Sequence, residues 1–475
     1  MSSLKPVVEE ITLDCPPDQL FAAFISDPYP FWLDSSLPGG EMGRWSFMGS
    51  NPFMLLKTYA RRIVLEEEGI TRSFSANPFE VLRQCLQRFS LERGDLHIPF
   101  LGGAVGFFSY DLGRMVENLP EQTEDDLNVP DVYLGFYHAF VAIDHTENRA
   151  FLVASGHPLQ GEEAAAKASV GLVSLRKKMR RRLILPDPWS EPEIAAADIQ
   201  TFFSSHAYGE AVERIRYYII AGDIYQANMT QRFDAPLRMP PFQLYRRLRQ
   251  VNPAPFAAYL DCGHDLRVLC SSPERFVRLA DNVVETRPIK GTRPRGKTPE
   301  EDSAFGEELL ASEKDRAELV MIIDLERNDL GRVCAYGTVS VPELIALEKY
   351  ATVFHLVSTV RGQLAPGKDT VDLLKAIFPG GSITGAPKIR AMEIIEEVEP
   401  VRRGVYTGSI GYIGFDGRAD LNIVIRTFIN KGDKLHLQVG GGIVYDSEPL
   451  LEYEETLHKA KALLKSLGVN RFPEV

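Results

Sequence analysis

The chain has 475 residues, 44% apolar and 25% charged, with 53 Lys and Arg against 65 Asp and Glu for a net charge of -12. At roughly 100–200 residues per domain it is long enough for several domains that each bury a core, and its ordinary balance excludes wholesale disorder and a membrane-resident chain. The acid excess gives the surface as a whole no electrostatic reason to hold a nucleic acid, so an anionic ligand needs a locally positive pocket.

Met1 to Leu20 carries acids and prolines where a secretory leader would carry a basic stub and an apolar stretch. No apolar run approaches the ~20 residues of a membrane span. Cys15, Cys85, Cys262, Cys270 and Cys334 are scattered without a Cys-x-x-Cys pair, which argues against a disulfide framework and a structural zinc site. A cytoplasmic protein is expected.

To about Leu175 the pattern is β-rich with interspersed helices. Gly102 to Tyr110 suits a glycine-punctuated strand, and Ala139 to Ile143 with Ala150 to Val153 suits a hairpin around Asn148. The acidic stretch Glu117 to Asp131 reads as a surface loop. The basic run Arg176 to Arg182, followed by Pro186, Pro188 and Pro192, marks a domain boundary near residue 195; lacking interleaved aromatics, it reads as a solvated helix end. Val212, Ile215 and Ile219 predict a helix stopped by Gly222, with a strand to follow through Tyr225, Ala227 and Met229. Thr298-Pro299-Glu300-Glu301 has capping-box order and predicts a helix that runs, with a break at Ser312, towards Leu325. Tyr406 to Ile413 and Leu421 to Ile429 predict a hairpin about Asp416-Gly417. Its second strand would put Leu421, Ile423 and Ile425 on one face and Asn422, Val424 and Arg426 on the other. A last helix is predicted from about Leu450 to Leu467, stopped by Gly468.

On that last helix Glu452, Glu455 and Lys459 share a face. Two carboxylates in reach of one hard cation suit Mg²⁺ if a third arrives from elsewhere, although a solvated acidic face has the same pattern. Lys314, Glu318 and Ile322 share a stripe where Glu318 adjoins the apolar run Leu319 to Ile323. Phe378 to Lys388, leading into a helix from Pro387, and Gly440-Gly441-Gly442, interrupting two strands, are each able to offer backbone amides to an anion or to be a plain turn. His355 lies in an alternating strand, as either a core or a functional histidine. Lys290 is the most distinctive residue, with Arg287, Arg293 and Arg295 around it. Neighbouring cations favour the neutral, nucleophilic form of a lysine, and a basic surface loop would look the same. Glu274, after Ser272-Pro273, supplies a carboxyl able to act as general acid.

Taken in order, Ala207-Tyr208, Ala221 to Asn228, Ser272-Pro273-Glu274, Pro288 to Gly296, Asp324 to Leu330, His355 to Ser358, Gly385 to Lys388, Gly440 to Gly442 and Glu455 to Lys459 resemble the chorismate-utilising enzymes. A weaker match lies in Leu33 to Ser36 and Gly43 to Ser46.

The resemblance implies an α/β (α+β) fold, two packed β-sheets in a sandwich with helices outside, in which an N-terminal region, 1–195, and a chorismate-binding region, 196–475, are intertwined. It implies Mg²⁺ held by Glu318 and Glu455, with Glu452 in support, and Lys459 near the ring carboxylate of chorismate. Arg426, Tyr406 and the amides of Gly440, Gly441 and Gly442 would take the enolpyruvyl carboxylate, with Gln226, Gly291, Thr292 and Ser382 as further substrate contacts. Lys290 and Glu274 would carry the chemistry, with His355 as a third catalytic residue: it matches a family histidine tied to pyruvate elimination, and in this chain its alternative role is to orient substrate. Members that make anthranilate usually carry Ala at the position of Lys290, whereas Lys marks the branch that aminates C4; members that add water place a lysine base where Gln226 stands. Amination of chorismate by ammonia is therefore expected, with anthranilate formation as the alternative. The ammonia implies a separate glutamine amidotransferase subunit. Ser36, Gly43, Arg44, Trp45, Ser46, Phe256, Ala257 and Ala258 resemble the family's tryptophan pocket, which here is structural, regulatory or vestigial. No nucleic acid or membrane partner is expected.

Overall fold

The computed structural model describes residues 4–37, 42–181, 183–190, 193–349 and 353–469. Among them the chain builds two antiparallel sheets of twelve strands. The first runs Val7–Ile11, Arg149–Ala154, Ala139–Asp144, Trp45–Gly49, Phe31–Asp34, Phe256–Asp261, Leu266–Ser272, Thr427–Lys431, Lys434–Ile443, Gln226–Pro236 and Gln200–Thr201, with Gly385–Ala386 paired beside the start of Gln226–Pro236. The second runs Ile289–Pro294, Val353–Gln363, Val283–Arg287, Arg275–Ala280, Ala419–Asn422, Ser409–Gly414, Gly103–Phe108, Val132–Tyr137, Met54–Tyr59, Arg62–Glu67 and Ile70–Ser75, with Ser340–Lys349 on Val353–Gln363. Strands from the first third of the chain thus extend strands from the later part in both sheets, and the two regions are intertwined.

The sheets pack face to face. Phe47 of the first and Tyr412 of the second bring their rings within 5.6 Å, and Phe31 and Tyr137 within 4.4 Å. Such pairs add about 0.5–1.5 kcal/mol to the burial itself. On the outer face of the first sheet, helices Gly161–Met179, Pro241–Val251 and Pro449–Ser466 close a second core with Trp32, Leu269 and Leu437. Helices Pro299–Ala311 and Glu313–Gly331 lie on the strands that carry Lys290 and His355. Ser312 separates those two helices, and its hydroxyl caps the second by accepting from the Asp315 N–H. Among the described residues, no helix is long and apolar enough to cross a membrane.

Two sequence expectations fail at the same place in the fold. The strand predicted over Leu421 to Ile429 breaks after Asn422: Ala419–Asn422 belongs to the second sheet, Thr427–Lys431 to the first. The residues between carry the chain across, and Arg426 takes a left-handed φ of 54°. A segment that leaves one sheet for the other cannot keep a two-residue alternation, so Asn422, Val424 and Arg426 share no strand face. The chain also crosses the opposite way through Pro273-Glu274, between Leu266–Ser272 and Arg275–Ala280. The two crossings are bonded together: Ser272 Oγ donates to the Ile423 carbonyl at 2.6 Å and the Ser271 N–H to the Arg426 carbonyl at 3.1 Å. In addition, Gly440-Gly441-Gly442 do not interrupt strands. They lie inside Lys434–Ile443, opposite Thr230, Met229 and Asn228.

Candidate active site

Glu274 sits in the crossing between the sheets, 7% exposed. Burial pushes its carboxyl up to about 7, against the Ser382 hydroxyl, the Lys290 charge and the Ile289 N–H, all of which favour the anion. Ser382 belongs to a turn that is clamped from two sides. Buried Lys388 donates to Asp329 and to the carbonyls of Ile377 and Pro379, at 2.9 and 2.8 Å for the carbonyls. Buried Arg403 donates to the Ile383 carbonyl at 2.8 Å and is paired with Glu399 at 2.7 Å. The glycine-rich segment before Pro387 is thus held as a wall of the site.

Lys290 lies on Ile289–Pro294 with its Nζ 3.9 Å from Glu318 Oε2. The three arginines near it in sequence are each engaged with carboxylates of their own: Arg287 pairs with Glu343 and Glu348, Arg293 with Glu308 and Asp315, and Arg295 with Asp302. Lys290 instead faces carboxyl groups, its charge acting on Glu274 and Glu455.

Glu452, Glu455 and Lys459 share a face of Pro449–Ser466, which packs on Lys434–Ile443. Lys459 Nζ bridges Glu455 Oε1 at 2.6 Å and the Gly440 carbonyl at 2.8 Å. Burial raises Glu452, and the Glu455 charge adds to this against Ser447, whose hydroxyl donates at 2.6 Å, and against Lys314 and Lys459. Partial burial would raise Glu455 as well, but Lys459, Lys314 and Lys290 hold it below the usual carboxylate range. A Cβ on Gly441 would stand 3.4 Å from Glu455 Oε1 and 3.5 Å from Glu452 Oε2, filling the space between them. One on Gly442 would strike the Gln226 amide. The donors are hard oxygens of the kind Mg²⁺ takes, and the Lys459 ammonium, 3.4 Å from the same Gly441 Cβ position, shares the space with them. Among the described residues no three acidic, His or Cys side chains are already drawn together as a cage.

Arg426 is half-buried and donates to the Lys459 carbonyl. Burial lowers its pKa, while the neighbouring Tyr406 and Glu455 act to raise it; burial also raises Tyr406. His355 Nδ1 lies 2.9 Å from Thr292 Oγ1 and 3.4 Å from the Gly291 carbonyl. Burial pushes its imidazole down to about 4, so the ring is neutral at ordinary pH. Gln226 is 1% exposed, and among the described residues its Oε1 has no hydrogen-bond partner. The structure thus brings Glu274, Lys290, Ser382 and Glu318 into one neighbourhood, and Glu452, Glu455, Lys459 and Gly441 into an adjoining one.

Residues 31–465 match the model of the chorismate binding enzyme family. The chain belongs to that family. It is 45% identical to anthranilate synthase component 1 of Thermus thermophilus, over 93% of this chain and 92% of that one. It is 41% identical to aminodeoxychorismate synthase component 1 of Bacillus subtilis, over 91% of each. The crystal structure of anthranilate synthase component I from Streptococcus pneumoniae superposes with a TM-score of 0.76 at 32% identity, covering 90% of this chain and 94% of that one. The menaquinone-specific isochorismate synthase of Escherichia coli shares the fold, with a TM-score of 0.70 at 18% identity over 98% and 95% of the two chains. This protein is accordingly a chorismate-utilising enzyme.

A second cavity, of about 80 Å³, opens between the sheets of this family member, lined by Trp45, Phe256, Ala257 and Ala258 together with Asp34, Arg275 and Asn422. Ser36, Gly43, Arg44 and Ser46 do not line it. Ser36 Oγ donates to the Ala254 carbonyl at 3.1 Å, Arg44 pairs with Asp144 at 2.6 Å, Ser46 Oγ lies 2.7 Å from His145 Nε2, and Gly43 is buried. Two further residues were not singled out in the sequence. Lys314 was noted only for its helix stripe, yet it acts on both Glu452 and Glu455. Glu326 accepts from Thr286 Oγ1, and burial, with the Glu274 charge adding, pushes it up to about 8. It lies within the Asp324 to Leu330 stretch of the resemblance, but among Asp324, Arg327 and Asp329 it looks like part of an exposed charged helix face.

Proposed function

We propose that the chain is the chorismate-aminating component of an aminodeoxychorismate synthase. It would replace the C4 hydroxyl of chorismate by ammonia to give 4-amino-4-deoxychorismate, towards 4-aminobenzoate and folate. The observation that carries this reading is the primary amine of Lys290 beside the buried carboxyl of Glu274. Lys290 adds at C2 while Glu274 protonates the departing C4 hydroxyl, the ring double bonds shifting between the two carbons. Ammonia then adds at C4, the Lys290 nitrogen leaves C2, and Glu274 regains a proton from the entering amine. The balance is one ammonia in and one water out. A carboxyl near its half-ionised point at neutral pH can both give and take that proton.

Chorismate is a dianion in a chain of net charge -12. Arg426, Tyr406 and the backbone of Gly440 to Gly442 would receive the enolpyruvyl carboxylate, and Lys459 would lie near the ring carboxylate, against which Glu318, Glu455 and Glu452 would hold Mg²⁺, where it supplies charge neutralisation. Ammonia would come from glutamine through a separate amidotransferase subunit, in the cytoplasm. Trp45, Phe256, Ala257 and Ala258, which resemble the family's tryptophan pocket, line the cavity between the sheets, and tryptophan is its proposed occupant.

The relative of Bacillus subtilis named aminodeoxychorismate synthase component 1 supports this reading, and that of Thermus thermophilus named anthranilate synthase component 1 supports the second, anthranilate synthesis. Product analysis separates them: with chorismate, Mg²⁺ and ammonium, the first gives 4-amino-4-deoxychorismate without pyruvate, the second equal amounts of anthranilate and pyruvate.

A further inference from the structure

Each carboxylate assigned to Mg²⁺ already answers to a lysine. Lys459 pairs with Glu455 at 2.6 Å, Lys314 acts on Glu452 and Glu455, and Lys290 pairs with Glu318 at 3.9 Å. The lysines differ in what else holds them. Lys459 is anchored by the Gly440 carbonyl. For Lys290, Glu318 is the ion-pair partner among the described residues, and its charge also acts on Glu274 and on Glu455, a carboxylate itself assigned to the metal.

One carboxylate oxygen cannot serve an ammonium and a dication together, because the two cations repel across a few ångströms in a partly desolvated space. The side chains of Lys290 and Glu318 are 13% and 19% exposed, so solvent screens this conflict only in part.

We propose that Lys290 is a built-in competitor of the divalent cation: its ammonium neutralises Glu318 in the metal-free chain, and cation binding at Glu318 drives Lys290 off that carboxylate. What remains for the displaced lysine is the neighbourhood of Glu274, where the proposed substrate carbon lies. The residue that would attack chorismate is therefore held by a metal ligand until the metal arrives, and metal loading is coupled to release of its side chain towards Glu274. The inference rests on the metal site of the proposed function, and it adds an antagonism that the site's donor set alone does not require.

The test is a Mn²⁺ titration of the full chain without chorismate, followed by the electron paramagnetic resonance signal of free Mn²⁺. Lys290→Met and Lys290→Gln remove the charge in two shapes, and circular dichroism confirms that each is folded. Both are expected to bind Mn²⁺ about tenfold more tightly than the unaltered chain, while Glu318→Gln binds it at least about tenfold more weakly. If Glu318→Gln weakens binding but neither Lys290 variant strengthens it, the competition is overturned and the metal site stands. If Glu318→Gln changes nothing, the metal site itself is wrong and the competition falls with it.

Discussion

The Ile423 N–H donates to the Glu274 carbonyl at 3.0 Å, joining the two segments that cross between the sheets. The relationship places the general-acid candidate one residue from the second cavity on each strand, since Arg275 and Asn422 follow and precede the bonded pair and both line that cavity. Active site and cavity share a wall one residue thick.

Asn422 is the brace of that wall. Its Oδ1 accepts from the Ile410 N–H at 2.8 Å and its Nδ2 donates to the Phe256 carbonyl at 2.9 Å, so one side chain ties both sheets. Asn422→Ala takes the acceptor from the buried Ile410 N–H and a donor from the part-buried Phe256 carbonyl, the buried loss alone worth about 1–3 kcal/mol, and urea unfolding is expected to show a loss of about 1–3 kcal/mol. A loss below about 0.5 kcal/mol would mean that the wall relaxes or admits water at no cost.

Lys388 makes a comparable brace behind Ser382. Lys388→Met removes its bonds to the Ile377 and Pro379 carbonyls and leaves the buried Asp329 with Arg332 at 3.0 Å as its remaining cation. The expected cost is about 3 kcal/mol. A drop in kcat should accompany it, because the turn that carries the Ser382 hydroxyl loosens; stability loss with unchanged kcat would separate that turn from Glu274.

Glu274 sets a pH dependence. Its folded pKa is raised from 4.5 to about 7, and a general acid works while protonated. kcat/KM for chorismate should therefore fall as pH rises through about 7. Glu274→Gln should lose about 100- to 10,000-fold in rate together with that alkaline limb. The same limb persisting in the Gln variant would assign it to another group.

Glu326 sets a second, visible in stability. Its carboxyl is raised from 4.5 to about 8, so the folded chain keeps a proton that the unfolded chain releases near pH 4.5. The stability this contributes is complete below the unfolded pKa and is lost as pH rises through about 8. Calorimetry of Glu326→Gln, which keeps an acceptor for Thr286, should give a flatter dependence than the unaltered chain from about pH 5 to 8, and at least about 1 kcal/mol more stability at the upper end. Parallel curves would show that Glu326 is solvated and titrates normally.

Local chemistry was legible where it decided the structure by itself. Gly222 stops its helix in the left-handed conformation, Ser312 divides two helices, and Asp416-Gly417 turns a hairpin. The split at Asn422 was not legible, because the apolar alternation of Leu421, Ile423 and Ile425 runs on through the crossing, and all three pack into the same core although the chain changes sheet between them. The charges around Lys290 were misread for a related reason. Three arginines adjacent in sequence look like a cationic field, yet their partners, Glu343, Glu348, Glu308, Asp315 and Asp302, come from elements whose pairing is set by the tertiary fold. Glu326 carries no signal of its own beyond the Asp324 to Leu330 stretch of the resemblance, since its environment depends on Thr286 from a strand forty residues earlier.

The central claim is that Lys290 and Glu274 direct ammonia to C4 of chorismate. The direct test is product analysis of the unaltered chain and Lys290→Ala with chorismate, Mg²⁺ and ammonium. The account predicts 4-amino-4-deoxychorismate without pyruvate from the first, and a loss of at least about 100-fold in the second. Anthranilate with stoichiometric pyruvate from the unaltered chain, little changed by Lys290→Ala, would contradict it.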